Sequence, residues 1–281
     1  MIGPSDGDRN GAARGVGVHA AVTEDHMAID EVRVEKIGAA MEITLNRPKR
    51  KNALTLAMYE AMSAALADAS ADPAIRVVSI RGEGNFTSGN DLQDFLQAPP
   101  TNENSPVFRF LMALLDFDKP LVAIVDGPAV GVGTTMLLHC DLVYAGENAR
   151  FQLPFVNLAL IPEAGSSYLL PKMFGHQKAS ELLLFGDAFD AATAKDLHLV
   201  NAVVPSDDLL AFAREKIAAL CAKPARSLRL TKKLLHHDRD VVKERMGAEA
   251  VLFGELLASP ELAEAIGAFF EKRAPDFTKF A

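Results

Sequence analysis

Glu163 is a single carboxylate inside an otherwise apolar run, Phe155-Val-Asn-Leu-Ala-Leu-Ile-Pro-Glu-Ala-Gly-Ser-Ser-Tyr168. An anion in such a setting costs desolvation energy unless it is hydrogen-bonded or used. Two glycine-bearing segments lie upstream, Gly84-Asn-Phe-Thr-Ser-Gly-Asn-Asp-Leu92 and Gly127-Pro-Ala-Val-Gly-Val-Gly133. Glycine permits backbone geometry that turns main-chain N–H groups outward. One base beside two such donors is the minimum equipment for moving a proton next to a carbonyl whose oxygen takes up charge.

Each segment alone also has a plain structural explanation. The first is a tight turn between a strand and a helix, with Asp91 as the helix cap. Gly131-Val-Gly133 suits either close strand–helix packing or an anion at a helix N-terminus. Glu163 can complement a helix dipole, with Pro162 in the first turn. Its long apolar flank favours a working role, because capping carboxylates usually have water nearby. Arg47-Pro-Lys-Arg-Lys-Asn52 and Phe269-Phe-Glu-Lys-Arg273 suit either phosphate groups or solvated surface charge.

The elements that must position these residues can be read from periodicity. Val32–Ile37 and Met41–Leu45 are expected as a hairpin around Gly38. Thr55 is expected to cap a helix reaching about Ala69, and Val77–Arg81 to form a short strand. A helix over Ser105–Phe117, ended by Asp118-Lys-Pro120, leads into a buried strand at Leu121–Val125. The glycine-rich 127–133 stretch opens a helix through Leu138, and Asp141–Ala145 and Ala149–Gln152 resume strand character. Helical patterns follow at Ser166–Phe174, Gln177–Leu184, Ala191–Leu197, Asp207–Leu220 and Ser227–His236, with a last long stretch from Asp240 to Lys272. The alternation predicts an α/β core over 29–205 and a helical C-terminal region over 206–281, with a soft boundary between them.

The 281 residues can bury a sizeable core. A net charge of -8 and the absence of a basic stripe argue against a nucleic-acid partner. Cys140 and Cys221 have neither metal nor redox spacing, and no metal site is expected. No apolar run is long enough to span a bilayer. Residues 1–28 lack the apolar core of a secretory signal and are expected to be a disordered tail. With no evident address, a soluble cytoplasmic protein is expected.

Taken together, in this order, these segments resemble the enoyl-CoA hydratase/isomerase superfamily, the crotonases, from about Val32 to Phe277. Asn46-Arg-Pro with Asn52-Ala-Leu54 resembles its first CoA-contacting loop. Phe86-Thr-Ser-Gly-Asn-Asp-Leu92 and Asp126-Gly-Pro-Ala-Val-Gly-Val-Gly133 resemble its two oxyanion segments, and Ala268–Phe277 its C-terminal helix. The resemblance implies a spiral of ββα units with a C-terminal helical oligomerisation region, assembled as a homotrimer or a hexamer. By the same resemblance the N–H groups of Asn90 and Val132 would hold a thioester oxygen. Arg47, Lys51, Ala53, Ser88, Gly89, Asp91, Leu92, Gly131, Phe155, Phe269 and Lys272 would meet CoA or substrate. Coenzyme A enters as part of the substrate, and no further cofactor is implied.

The departures from the family pattern point to a reaction. Enoyl-CoA hydratases use two glutamates to hold water; this chain has Thr135 at the first position and Phe155 at the second. Pro162-Glu-Ala-Gly-Ser-Ser-Tyr168 instead resembles the peroxisomal-type Δ3,Δ2-enoyl-CoA isomerases, in which this glutamate is the base. The resemblance implies transfer of a proton from C2 to C4 of a 3-enoyl-CoA in fatty-acid β-oxidation. Alternatives are hydration or another crotonase reaction, and an acyl-CoA-binding protein without turnover. A helix N-terminus would hold Glu163 ionised while its apolar flank would raise its basicity, and the sequence leaves that balance open.

Overall fold

The computed structural model describes residues 31–97 and 104–280, with backbone alone at 95–97. The expected 1–28 tail lies outside the described residues. The strands are β1 (Val32–Ile37), β2 (Ala40–Leu45), β3 (Val77–Gly82), β4 (Leu121–Val125), β5 (Pro128–Val130), β6 (Leu142–Gly146), β7 (Arg150–Gln152), β8 (Phe189–Asp190) and β9 (Ala202–Val204). The helices up to the middle of the chain are α1 (Leu56–Ala71), α2 (Leu92–Gln97), α3 (Pro106–Asp116), α4 (Val132–Thr135), α5 (Ser166–Phe174) and α6 (His176–Phe185). They continue as α7 (Ala191–Asp196), α8 (Ser206–Cys221), α9 (Ala225–Leu235), α10 (Arg239–Leu256) and α11 (Pro260–Glu271).

The first two strands form the expected antiparallel hairpin, Val32 opposite Leu45. From β2 onward, neighbours in the large sheet run parallel, in the order β1-β2-β3-β4-β6-β9. Parallel neighbours require crossovers, which α1 supplies between β2 and β3, and α2 with α3 between β3 and β4. Every residue of β2 and of β4 is buried, as expected for strands covered on both faces. A second, smaller sheet of β5, β7 and β8 was not expected from the sequence. β7 lies within the strand expected at Ala149–Gln152, whereas β5 and β8 are three and two residues long, too short to show a period.

Local signals explain the helices that cover the sheet. The Thr55 hydroxyl accepts the Met58 N–H at 3.3 Å and starts α1. Met58, Met62, Ala65, Leu66 and Ala69 then fall on its buried face. Ser105 caps α3 in the same way, with Pro106 in the first turn. These helices share one core with Ile43, Leu45, Ile80, Ala123 and Val125.

On the opposite face Leu209, Ala213 and Ile217 of α8 pack against Val77, Val122, Ile124 and Tyr144. The boundary expected at 205/206 therefore separates chain segments rather than bodies. Val242, Met246, Phe253, Leu262 and Ile266 of α10 and α11 also belong to the main core. The long stretch expected from Asp240 to Lys272 is broken. Ser259 accepts the Leu262 N–H at 3.1 Å, and Pro260 cannot continue the preceding helix's hydrogen bonding. Among the described residues no helix is long and apolar enough to cross a membrane.

Candidate active site

Both glycine-bearing segments end at one cavity of about 880 Å³. They are tied together first: Thr87 donates its N–H to the Pro128 carbonyl at 2.9 Å, and Val130 donates to the Thr87 carbonyl at 3.1 Å. On the other side of the first segment, Leu54 donates to the Gly89 carbonyl at 2.8 Å and accepts from the Asp91 N–H at 2.9 Å. That bridge uses the carbonyl before Asn90 and the amide after it. Strand alternation therefore turns the Asn90 N–H the other way, toward the cavity. Gly89 has φ +88, and a Cβ there would stand 2.7 Å from the Val130 carbonyl oxygen, so only glycine brings the segments this close.

Val132 is the first residue of α4, whose opening N–H groups have no intrahelical partner. Among the described residues no acceptor takes the N–H of Asn90 or of Val132. Both residues line the cavity, as does Glu163. The Tyr59 hydroxyl, fully buried on α1, donates to Asn90 Oδ1 and anchors that side chain behind the donor segment.

The Thr135 hydroxyl of α4 donates to Glu163 Oε1. Glu163 Oε2 is buried and without a partner among the described residues. Part of the residue opens on the cavity, yet that oxygen is shut off from bulk solvent. Burial pushes the Glu163 carboxyl up to about 8, against the pull of the Thr135 hydrogen bond and with some help from the Glu249 charge.

The balance left open by the sequence falls on the side of raised basicity, for a geometric reason. α5 begins at Ser166, so Pro162 and Glu163 precede it rather than opening it. Amides at its start, those of Gly165 and Ser167, go to the Glu249 carboxylate instead, at 2.6 and 3.0 Å. Ala164 has φ +61, uncommon for a residue with a side chain. Its carbonyl accepts from His139 Nε2 at 2.8 Å, so that nitrogen carries the proton. Burial drives the His139 ring down to about 4, which leaves it neutral.

Of the remaining residues singled out in the sequence, Ala53, Ser88, Gly89, Asp91, Leu92, Gly131, Phe155 and Phe269 line this cavity. Arg47, Lys51 and Lys272 do not. The Arg47 guanidinium is engaged by Glu31 at 2.8 Å, Asp91 at 3.0 Å and the Ala53 carbonyl at 2.6 Å, so it braces the loop. Lys51, at φ +50, closes a short turn, and Lys272, at φ +54, ends α11. Among the described residues, the cation at the cavity wall is Arg50. Asp91 Oδ1 also accepts from Gln93 N–H at 3.1 Å, as a cap to α2. Phe108 and Leu111 join Phe155 in the wall, whereas Phe110 is core, 5.5 Å from the Tyr59 ring.

Sequence reasoning missed Tyr59, Glu249 and the α10 wall of Met246, Gly247, Ala250 and Val251. Tyr59 and Glu249 reach the site through the fold, and no local motif announces them. His139 was equally silent; Asn52, named in the sequence only as part of a loop, knits that loop with its side chain by donating to the Asn85 carbonyl at 2.5 Å and accepting from Arg47 N–H at 2.7 Å.

The family model described as enoyl-CoA hydratase/isomerase matches residues 35–279. Enoyl-CoA delta isomerase 2 of Rattus norvegicus is 38% identical over 77% of this chain and 56% of that protein. The chain thus spans little more than half of that relative. The 2,3-dehydroadipyl-CoA hydratase of Escherichia coli is 34% identical over 89% of this chain and 99% of its own length. Among solved structures, an enoyl-CoA hydratase/isomerase from Pseudoalteromonas atlantica superposes with a TM-score of 0.84 at 40% identity, over 88% of this chain and 100% of that one. OdaA from Pseudomonas aeruginosa gives 0.84 at 45%, over 85% and 98%. With the family model matched from one end of the described fold to the other, the chain belongs to the enoyl-CoA hydratase/isomerase family and has the crotonase fold.

Proposed function

We propose that the protein is a Δ3,Δ2-enoyl-CoA isomerase in the oxidation of unsaturated fatty acids, with Glu163 as its one base. One observation carries the reading. Glu163 lines the same cavity as Asn90 and Val132 and keeps one buried carboxylate oxygen without a partner among the described residues, while the hydratase carboxylate positions hold Thr135 and Phe155.

The 3-enoyl thioester binds with its carbonyl oxygen between the two amides. Glu163 Oε2 takes a proton from C2, and the C2–H electron pair joins the C3–C4 double bond and the carbonyl in a dienolate. Negative charge grows on the thioester oxygen, where preplaced donors stabilise it more than they stabilise the neutral carbonyl. Glu163 returns the proton to C4, a C2–C3 double bond remains, and the carbonyl reforms. The exchange balances without an added cofactor, coenzyme A entering as part of the substrate. Phe155, 7% exposed in the cavity wall, keeps water from the dienolate.

The test supplies 3-hexenoyl-CoA and crotonyl-CoA separately. Formation of conjugated 2-hexenoyl-CoA with little water addition to crotonyl-CoA is expected; hydration without isomerisation would overturn the reading. The hydratase relative, matched along its whole length, supports hydration as the second reading. Assembly as a trimer or a pair of trimers is part of the proposal, supported by exposed Leu234, Leu235, Phe269 and Phe270, and sedimentation tests it.

A further inference from the structure

Glu249 is a carboxylate on α10 that is 4% exposed, far from the sequence segment that carries the base. Its two oxygens are divided between two amides of one turn, Oε2 on Gly165 N–H at 2.6 Å and Oε1 on Ser167 N–H at 3.0 Å. That turn follows Glu163 directly. It contains the unfavourable φ of Ala164, and the Glu163 carbonyl accepts the Ser166 N–H at 3.1 Å within it. A backbone held in a sparsely populated conformation persists only when its surroundings over-determine it. Here His139 holds the Ala164 carbonyl from one side and Glu249 holds the next amides from the other. The α10 helix also lines the cavity with Met246, Gly247 and Ala250, so Glu249 ties the cavity wall to the base.

We propose that Glu249 is a positioning residue for the Glu163 base, fixing the Ala164–Ser167 turn that aims the Glu163 carboxylate into the cavity and placing a second negative charge behind it. The proposal rests on the reading of Glu163 as the base. The charge acts in a defined setting. Facing Glu163 among the described residues are Thr135 of α4, Tyr59 of α1 and Glu249, and His139, bonded to its turn, is neutral. Facing Glu249 are Glu163 and, on its own helix, Arg245. Burial raises the Glu249 carboxyl against the pull of the two amides, and its charge adds to the burial that raises Glu163.

The experiment compares wild type with Glu249→Gln in the full chain. Isomerisation of 3-hexenoyl-CoA is read as kcat and KM across pH, and exchange of the α-protons of hexanoyl-CoA with deuterated water is read in parallel. Expected for Glu249→Gln is a kcat loss of about tenfold or more, as misplacement of a reacting group produces, with KM held within about threefold. The acid limb of kcat/KM moves to lower pH, because a neighbouring negative charge has gone. Unchanged kcat with an unmoved limb overturns the proposal and leaves the isomerase reading standing. A kcat loss matched by the rise in KM, with the limb unmoved, indicates ordinary packing and also overturns it.

If wild type exchanges α-protons without isomerising, the isomerase reading fails and the exchange rate takes over as the readout, under the same criteria. If wild type does neither, both fall. Should Glu249→Gln not fold, Ser167→Pro deletes one of the two gripped amides and leaves the charge in place. It is expected to lower kcat with KM held, and full kcat in it overturns the proposal.

Discussion

Thr135 donates its hydroxyl to one oxygen of Glu163 and leaves the other oxygen buried and, among the described residues, unpartnered. The pair divides a carboxylate into an anchored half and a free half. Free rotation of the carboxylate would let either oxygen wander; the anchor leaves one oxygen for substrate. This bond also pulls the Glu163 carboxyl down against the larger push of burial, which takes it to about 8.

Removing the anchor therefore has a signed effect on pH dependence. Glu163 must be ionised to act, so kcat/KM rises with pH through its ionisation in the free enzyme. Thr135→Val keeps the shape and deletes the hydrogen bond, which moves the acid limb to higher pH. Near neutral pH the variant is slower, and the gap narrows above pH 9. A pH–rate profile with the limb unmoved or displaced to lower pH would contradict the role assigned to Thr135.

The same raised carboxyl predicts a stability trade. Its folded value, about 8, lies above the ordinary glutamate value of 4.5 that applies when the chain is unfolded. The folded state then binds the extra proton between those two values, so Glu163 costs stability progressively as pH rises through that window. Glu163→Gln escapes the cost. We expect it to be more stable than wild type at pH 9, by roughly a few kcal/mol, and the two to converge below pH 4. Urea melts at both ends check this, and a constant difference across pH would refute it.

Tyr59→Phe tests the support behind the first oxyanion donor. The change deletes one hydroxyl and leaves the buried ring contact with Phe110 in place. Asn90 Oδ1 then loses its partner, and the Asn90 segment gains freedom. Loss of a whole oxyanion donor costs about 10²–10³ in rate; a loosened one is expected to cost about tenfold in kcat with little change in KM. Unaltered kcat would show that the segment is held by its backbone bridges alone.

Phe155→Ala examines the exclusion of water. An opened wall admits solvent to the base and to the dienolate. With substrate deuterated at C2, wild type is expected to deliver much of the label to C4, and the variant to lose more of it to solvent. Folding stability should fall by about 3–5 kcal/mol, as for other buried phenylalanines. Equal label transfer in both proteins would remove Phe155 from the account.

The sequence carried the local part of this site and lost the rest for physical reasons. Thr55, Ser105 and Asp91 cap their helices through bonds two or three residues away, and such signals survive in one dimension. The glycine segments announced themselves because Gly89 meets a neighbouring carbonyl that a side chain would strike. Glu249 lies more than eighty residues from the amides that it holds, and Tyr59 lies thirty-one from Asn90, so neither spacing carries a pattern. A guanidinium in a polar loop reads as free for phosphate in the sequence, whereas Arg47 is engaged by Glu31, Asp91 and the Ala53 carbonyl, partners that its spacing does not announce. Pro162 suggested a helix start that the structure delays to Ser166, since the turn at Ala164 and Gly165 must come first.

The most direct test is the rate of 3-hexenoyl-CoA isomerisation by Glu163→Gln, measured beside its affinity for the saturated thioester hexanoyl-CoA. The amide keeps the size of the carboxylate and cannot accept the proton. A fall of about 10²–10⁴-fold in kcat with binding retained is predicted, the usual worth of a positioned general base. Turnover within a few-fold of wild type would contradict Glu163 as the base and the mechanism with it.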